Sequence, residues 1–176
     1  MLSTRLFLAL ALFPLVLSPS LYGQAVAQHA HAKATLSTQL ELTLDGKSST
    51  ITLADLAAMS QKTVKVHNPH TQKDESYTGV ALSDLLAKYG FAVGQSTHRA
   101  MLHGYLAAEG TDKYWVLYSL TEIEPSEHEA DVIVATSLDG GSLGEDGQIK
   151  LIDTADRRPQ RWVRNLTTLR VVSVGD

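Results

Sequence analysis

The 176-residue chain contains no cysteine. That absence excludes a disulfide framework, a catalytic thiolate, a sulfur ligand to a metal and a lipid-modified cysteine anchor. The fold must be held by its core. A long apolar run is missing too. The segment Leu6–Leu17 is twelve residues with Pro14 inside it, whereas a membrane-spanning helix needs roughly 20. There is no basic surplus: the formal charge is −4, which makes nucleic acid or an anionic membrane surface a poor partner. A Gly-x-Ser-x-Gly elbow is absent, so Ser-His-Asp chemistry has no support. The glycines at 140, 141 and 144 lack the Gly-Lys-Ser/Thr of a phosphate loop. Internal repeats, linkers and low-complexity tracts are also missing.

The N-terminus carries the clearest signal. Arg5 is the only charge in residues 1–27. The apolar run follows it, then Ser18-Pro19-Ser20, then Ala25-Val26-Ala27. That order is a signal peptide with cleavage after Ala27, and it implies an exported, periplasmic or secreted, protein. Losing Arg5 takes the formal charge from −4 to −5. Residues 28–176 are enough for one domain with a sizeable core. Gln28 to Thr35 reads as a flexible tail, with His29 and His31 in it.

Leu36–Leu44 alternates with period two from Thr38 and predicts a strand, and Asp45-Gly46 predicts a turn. Thr52 with Asp55 resembles a capping box opening a helix over Leu53–Met59. Thr63–Val66 is β-branched and predicts a strand before the loop Asn68–Thr71. Leu82, Leu85, Leu86 and Tyr89 have helical spacing, with Gly90 as a stop. Strands are expected at Arg99–His103, Tyr114–Tyr118, Asp131–Ala135, Ile149–Ile152 and Leu166–Val174, and a one-turn helix start at Ser119–Glu122. Many short strands with two or three short helices imply an α+β domain of mixed or antiparallel sheet.

His67 and His70 flank the Asn68-Pro69 loop without a third ligand at metal spacing, and read as a solvated loop. His98 and His103 are five apart on an expected strand and point to opposite faces. The densest basic and aromatic cluster is Asp156–Arg164, with arginines at 157, 158, 161 and 164 around Trp162. Guanidinium groups hold phosphate or a planar heterocycle, and an indole supplies a stacking face. Spacing alone does not separate that reading from a solvated surface loop with one buried Trp.

Three segments occur in an order that resembles a known family. They are Tyr77–Leu86, Ala107–Tyr114 with Ser119-Leu120, and Asp153–Arg164 with its Arg-Pro-x-Arg-Trp-Val run at Arg158–Val163. Together they resemble the oxidoreductase molybdopterin-binding domain, the sulfite oxidase-like fold, and more narrowly its short exported bacterial members. The resemblance spans Leu36 to Val174, within the domain read as residues 36–176. It implies an α+β fold of mixed sheets with a few short helices around a pterin pocket.

In the catalytic members a strand-end cysteine binds molybdenum. The corresponding region here offers His67 and Asn68. Asp112-Lys113-Tyr114 stands where Asp-Gly-Tyr is usual, and Gly147-Gln148 where Gly-Pro is usual. Without the cysteine, molybdenum is not expected. The resemblance then implies a non-catalytic, exported pterin-binding protein acting as a ligand-sensing partner of a membrane signalling protein. In that reading Arg158 and Arg161 hydrogen-bond the pterin, Trp162 stacks on it or walls it, and His67, Asn68 and Asp112 line the mouth. Arg164 is read as a structural ion-pair partner. Two alternatives stay open: a molybdopterin-dependent oxidoreductase with a non-cysteine metal ligand, and an interaction domain whose pocket has decayed.

Overall fold

Asp45 and Gly46 both have positive φ, 46° and 76°. Positive φ at both positions is what the favoured two-residue hairpin turn requires. They join β1 (Gln39–Leu44) to β2 (Lys47–Thr52). The computed structural model describes residues 35–91 and 98–173, so the segment read as a signal peptide, and the expected tail except Thr35, lie outside the described residues. Those described belong to one compact unit.

Thr52 ends β2 and caps α1 (Leu53–Ala57). Asp55 N donates to Thr52 Oγ1 at 3.1 Å, and Thr52 N donates to Asp55 Oδ2 at 2.9 Å. The expected capping box is therefore present, on a helix that stops two residues earlier than Met59. Next come β3 (Lys62–Asn68), β4 (Lys73–Ala81) and α2 (Leu82–Lys88). Helix α2 buries Leu82, Leu85 and Leu86, and Gly90 closes it at φ +104°. The chain continues through α3 (His98–Leu102), β5 (Gly104–Gly110), β6 (Trp115–Ser119), β7 (Val132–Leu138), β8 (Lys150–Asp153) and β9 (Leu166–Ser173). Among the described residues no helix is long and apolar enough to cross a membrane.

Two sheets result. The first has the order β2-β1-β9-β5-β6, with β1 parallel to β9 and the other pairs antiparallel. The second is antiparallel, β3-β4-β7-β8. The expected α+β class, mixed sheet with a few short helices, is what the chain adopts. One correction concerns Arg99–His103, read as a strand, which falls within and just after helix α3. Ala100, Met101 and Leu102 favour a helix, and a single turn suffices to bury Met101.

The second sheet is buried on both faces, and that positions everything below. Val80, Val132, Val134 and Leu151 enter the main core, which they share with the first sheet, α1 and α2. The intervening residues Tyr77, Ile133, Ala135 and Ile152 enter a separate cluster with Val64, Val66, Leu143 and Trp162. A strand apolar on both faces reads as a continuous run, as Val132–Ala135 does. Period two also sets Lys150 on the second face, because Leu151 faces the main core.

The register of β4 against β7 shifts at Thr78/Gly79. A Cβ on Gly79 would lie 2.1 Å from Val134 O and 2.5 Å from Ala135 Cα. Both are backbone atoms of a central strand, so relief requires the strands to part. Gly79→Ala is expected to cost about 3 kcal/mol, measured as a lower urea midpoint with an unchanged slope. A midpoint equal to the parent's would show that the bulge absorbs the methyl group.

Candidate functional site

The chain leaving β8 returns along it. Leu151 N donates to Val163 O at 2.9 Å, and Val163 N to Leu151 O at 3.2 Å. That return lays Trp162 on the second face of the four-stranded sheet, with its ring 6.0 Å from Tyr77 at 74°. Trp162 Nε1 donates to Asp153 O at 2.9 Å, which leaves the indole to act as a wall.

The hairpin between β5 and β6 docks against the same segment. Thr111 N donates to Asn165 O at 3.0 Å, and Arg164 O lies 2.6 Å from where a Cβ of Gly110 would be. Only glycine permits that approach. At the tip, Asp112 Oδ1 accepts from Tyr114 N at 3.0 Å, and Lys113 takes φ +68°. The tip is thereby held with Asp112 facing the sheet's second face, and Tyr114 OH donates to Gln160 O.

Between these walls lies a cavity of about 690 Å³. Tyr77, Leu138, Leu143 and Trp162 supply its apolar surface, and Glu75, Asp146 and Lys150 its inner polar groups. Asn68, Thr71, Asp112, Glu145 and Arg164 also line it. A hydrogen-bonded chain crosses the floor. Asn68 Nδ2 donates to both oxygens of Glu75 at 3.0 and 2.9 Å, and Thr71 Oγ1 donates to Oε1 at 2.9 Å. Tyr77 OH donates to Glu75 Oε2 at 2.7 Å and accepts from Lys150 Nζ at 3.0 Å. Lys150 Nζ also donates to Asp146 Oδ2 at 2.6 Å.

The Lys150 ammonium sits 4.7 Å from the Tyr77 ring centroid and 5.3 Å from that of Trp162. Its side chain is only 5% exposed, so the ion pair and the two ring faces replace its water. Burial pushes the Glu75 carboxyl up, but the hydrogen bonds from Asn68, Tyr77 and Thr71 outweigh it and hold the group below its usual value. Burial and the neighbouring Glu75 push the Tyr77 phenol well above its ordinary range, so it stays protonated and donates.

Of the six residues expected at the site, Asn68, Asp112 and Trp162 line this cavity, and His67, Arg158 and Arg161 do not. His67 lies on β3 with Val66 and Asn68 on either side, and alternation turns it to the opposite face. There it is exposed, with Nδ1 3.0 Å from Asp74 Oδ1. Arg158 is exposed where the short 3-10 turn Pro159–Arg161 begins. Arg161 is held by three carboxylates. Nη1 donates to Glu122 Oε1 at 2.9 Å, Nη2 to Asp153 Oδ2 at 3.0 Å and to Asp156 Oδ1 at 2.8 Å, and Nε to Asp156. Tyr118 packs its ring 4.7 Å from the guanidinium and donates its OH to Arg161 O at 2.8 Å.

Arg164 keeps the ion-pair role read for it, with its Nε 3.8 Å from Asp146 Oδ1, and also lines the cavity, while Arg161, read as a ligand contact, is itself an ion-pair partner away from the cavity. Glu75, Asp146 and Lys150 line the cavity without standing in any motif of the sequence, and Tyr77 opens the Tyr77–Leu86 segment but is not among the site residues read from the sequence. One signal was available: Lys150 is the lone charge in the apolar run Ile149–Ile152. Among the described residues no group of three or more His, Asp or Glu is arranged to hold a metal.

No protein-family model matches the sequence, and no curated protein matches it. A solved structure does. The fold is similar to that of the sulfane dehydrogenase SoxCD from Paracoccus pantotrophus. The TM-score is 0.61 at 19% identity, over 82% of this chain and 41% of that one. At that identity the likeness concerns the fold, and this chain spans about two fifths of the length of the SoxCD chain.

The Arg161 cluster carries a pH signature. Burial pushes Glu122 up, but Arg161 and Ser119 pull it below its usual value. Its contribution is therefore full above the ordinary carboxylate range and fades as pH falls. Burial raises Asp153, so its charged form costs stability at neutral pH, and that cost disappears as pH falls through the raised value. Removing Arg161 leaves both carboxylates without their cation. Arg161→Ala is expected to lose about 2 kcal/mol at pH 7, discounted for partial exposure. The gap to the parent should narrow towards pH 4 in urea titrations at each pH. A gap that widens on acidification would remove the carboxylates from this role.

Proposed function

We propose that this protein binds a metal-free pterin or a closely related planar, amine-bearing heterocycle in the cavity beside Trp162, and that it is not itself a catalyst. The observation that carries the reading is the cavity's lining: an aromatic wall with hydrogen-bonding groups of both kinds set into it. A flat ring gains apolar contact on the wall, and its polar edge meets Lys150, Asp146, Asp112 and Arg164. Asp112 Oδ2 has no hydrogen-bond partner among the described residues and is open to accept from an N–H of a ligand.

The full molybdenum cofactor fits these residues poorly. Its metal takes a soft anionic ligand in the family that the sequence resembles, and no donor here is sulfur. At the end of β3 stands Asn68, whose amide is held by Glu75. The cavity lining holds four carboxylates, Glu75, Asp112, Glu145 and Asp146, against two cations, Lys150 and Arg164. That balance disfavours a phosphate ester. The pterin part fits, and the phosphate and metal do not. The oxidoreductase alternative gains nothing from this donor set, and the decayed-pocket alternative is hard to reconcile with a polar chain so fully hydrogen-bonded.

The signal-peptide pattern of residues 1–27 supports binding outside the cytoplasm. A protein that binds without reacting then acts through what its bound state touches, which suits a sensing partner of a membrane signalling protein. The likeness of fold to SoxCD supports the architecture, and the ligand reading rests on the cavity.

The test is a fluorescence and calorimetric titration of the purified protein carrying Trp115→Phe, so that Trp162 alone reports. Pterin is expected to quench Trp162 with a dissociation constant of about 10 μM or tighter. A phosphate ester of the same pterin should bind about ten-fold more weakly. Absence of both heat and quenching at about 1 mM pterin, a weak limit of about 4 kcal/mol, would overturn the proposal.

A further inference from the structure

Most polar groups around the cavity are already engaged. Asn68 Nδ2 donates to both oxygens of Glu75, and Asn68 Oδ1 accepts from His70 N at 2.9 Å. Trp162 Nε1 and Tyr77 OH are occupied. Glu75 accepts four hydrogen bonds from protein groups. The exception at the inner end is the Lys150–Asp146 pair. An ammonium has three protons, and Lys150 uses two, on Tyr77 and Asp146. Asp146 Oδ1 has only Arg164 Nε, at 3.8 Å, which is beyond hydrogen-bonding distance.

The pair is also fixed in place. Gly147, at φ +94°, follows Asp146, and a Cβ there would lie 2.1 Å from Asn165 Oδ1. Asn165 N donates to Asp146 O at 2.8 Å. The carboxylate is therefore held on a turn that is itself clamped, and the ammonium is held between two rings. A donor and an acceptor stand side by side, 2.6 Å apart, at the foot of an aromatic wall.

We infer that Lys150 and Asp146 together read the amide edge of the bound heterocycle, Lys150 donating to an exocyclic carbonyl and Asp146 accepting from the adjacent ring N–H and exocyclic amine. This inference rests on the pterin reading and assigns the orientation of the ring. Along one side a pterin presents its 4-carbonyl, its N3–H and its 2-amino group, an acceptor followed by two donors. That sequence is the complement of an ammonium beside a carboxylate. Asp146 and Lys150 thus decide which pteridine binds, while Trp162 supplies contact that every pteridine shares. Asp112 lies at the hairpin tip and meets the part of the ligand nearer the mouth.

The test compares three ligands on the intact wild-type protein: pterin, lumazine (carbonyls at positions 2 and 4) and 2,4-diaminopteridine. Lumazine turns a carbonyl towards Asp146, and the diamino compound turns an amine towards Lys150. Lumazine is expected to bind about 30-fold more weakly than pterin, the loss from mispairing one charge-assisted hydrogen bond, and the diamino compound, whose N3 also has no hydrogen to give Asp146, at least as weakly. Asp146→Asn should weaken pterin about 30-fold and lumazine by less than about three-fold. Lys150→Met should reduce the preference for pterin over the diamino compound, with thermal unfolding checked alongside because Lys150 is buried. If pterin binds but all three ligands fall within about three-fold of one another, the edge reading is overturned and pterin binding stands. An Asp146→Asn variant that keeps the wild-type ratio of pterin to lumazine overturns the edge reading in the same way. If none of the three binds, both readings are overturned together.

Discussion

The guanidinium of Arg161 meets Glu122, Asp153 and Asp156 at once, and these carboxylates come from different parts of the chain. Glu122 belongs to the 3-10 turn after β6, Asp153 ends β8, and Asp156 lies in the loop that follows. Holding all three fixes the path from Asp153 back to Val163. That path delivers Trp162 to the second face of the four-stranded sheet and lets Val163 pair with Leu151. Without it the cavity has no aromatic wall and Lys150 has one ring face instead of two. A planar fork with several donors suits this task, and a lysine's point charge does not. Tyr118 covers the guanidinium and shields the cluster from water, which strengthens each contact.

Burying the sheet on both faces creates a second demand. A strand apolar on both sides needs a cover on each, and the segment 138–165 covers the second face incompletely. The gap contains Lys150, an ion that burial penalises unless it is paired and hydrogen-bonded. Asp146 and Tyr77 both accept from Lys150, and Glu75 accepts in turn from Tyr77. Such networks are costly when any member is missing, so they hold one arrangement rather than several. For the proposed ligand this means that donor and acceptor are already oriented, and little ordering would remain to oppose binding.

The elements legible in the sequence have local causes. The Thr52–Asp55 box, the Leu82, Leu85 and Leu86 stripe and the Asp45-Gly46 turn depend on neighbours a few residues away. Strand β5 was not legible, because Ala107, Ala108, Glu109 and Gly110 have little strand preference and are recruited by β6 and β9. The first half of β4 hides among charged residues, although Glu75 and Tyr77 have the period-two spacing that places them on one face. Trp162 and Asp112, which line the cavity, are reached through the segments of the resemblance, Arg158–Val163 and Asp112–Tyr114. The arginines mislead for a physical reason: which of Arg161 and Arg164 faces the cavity depends on Glu122, 39 residues away from Arg161. The pairing of His67 with Asn68 at one mouth was open to rejection from the sequence alone, since adjacent residues of a strand point apart.

The end of β3 shows how a likeness of fold and a likeness of chemistry come apart. There the chain has Asn68, a neutral amide with no capacity to bind a soft metal. Its amide nitrogen donates to both oxygens of Glu75, and its oxygen organises the turn through His70 N. Asn68 therefore reaches the cavity with both ends of its amide engaged. Its effect is indirect: Glu75, kept ionised by Asn68 and Thr71, orients Tyr77, and Tyr77 in turn positions Lys150. In the region where the resemblance implies a metal ligand, Asn68 is the far support of an ammonium. The cavity floor accordingly presents a fixed donor, Lys150, beside a fixed acceptor, Asp146, and no sulfur.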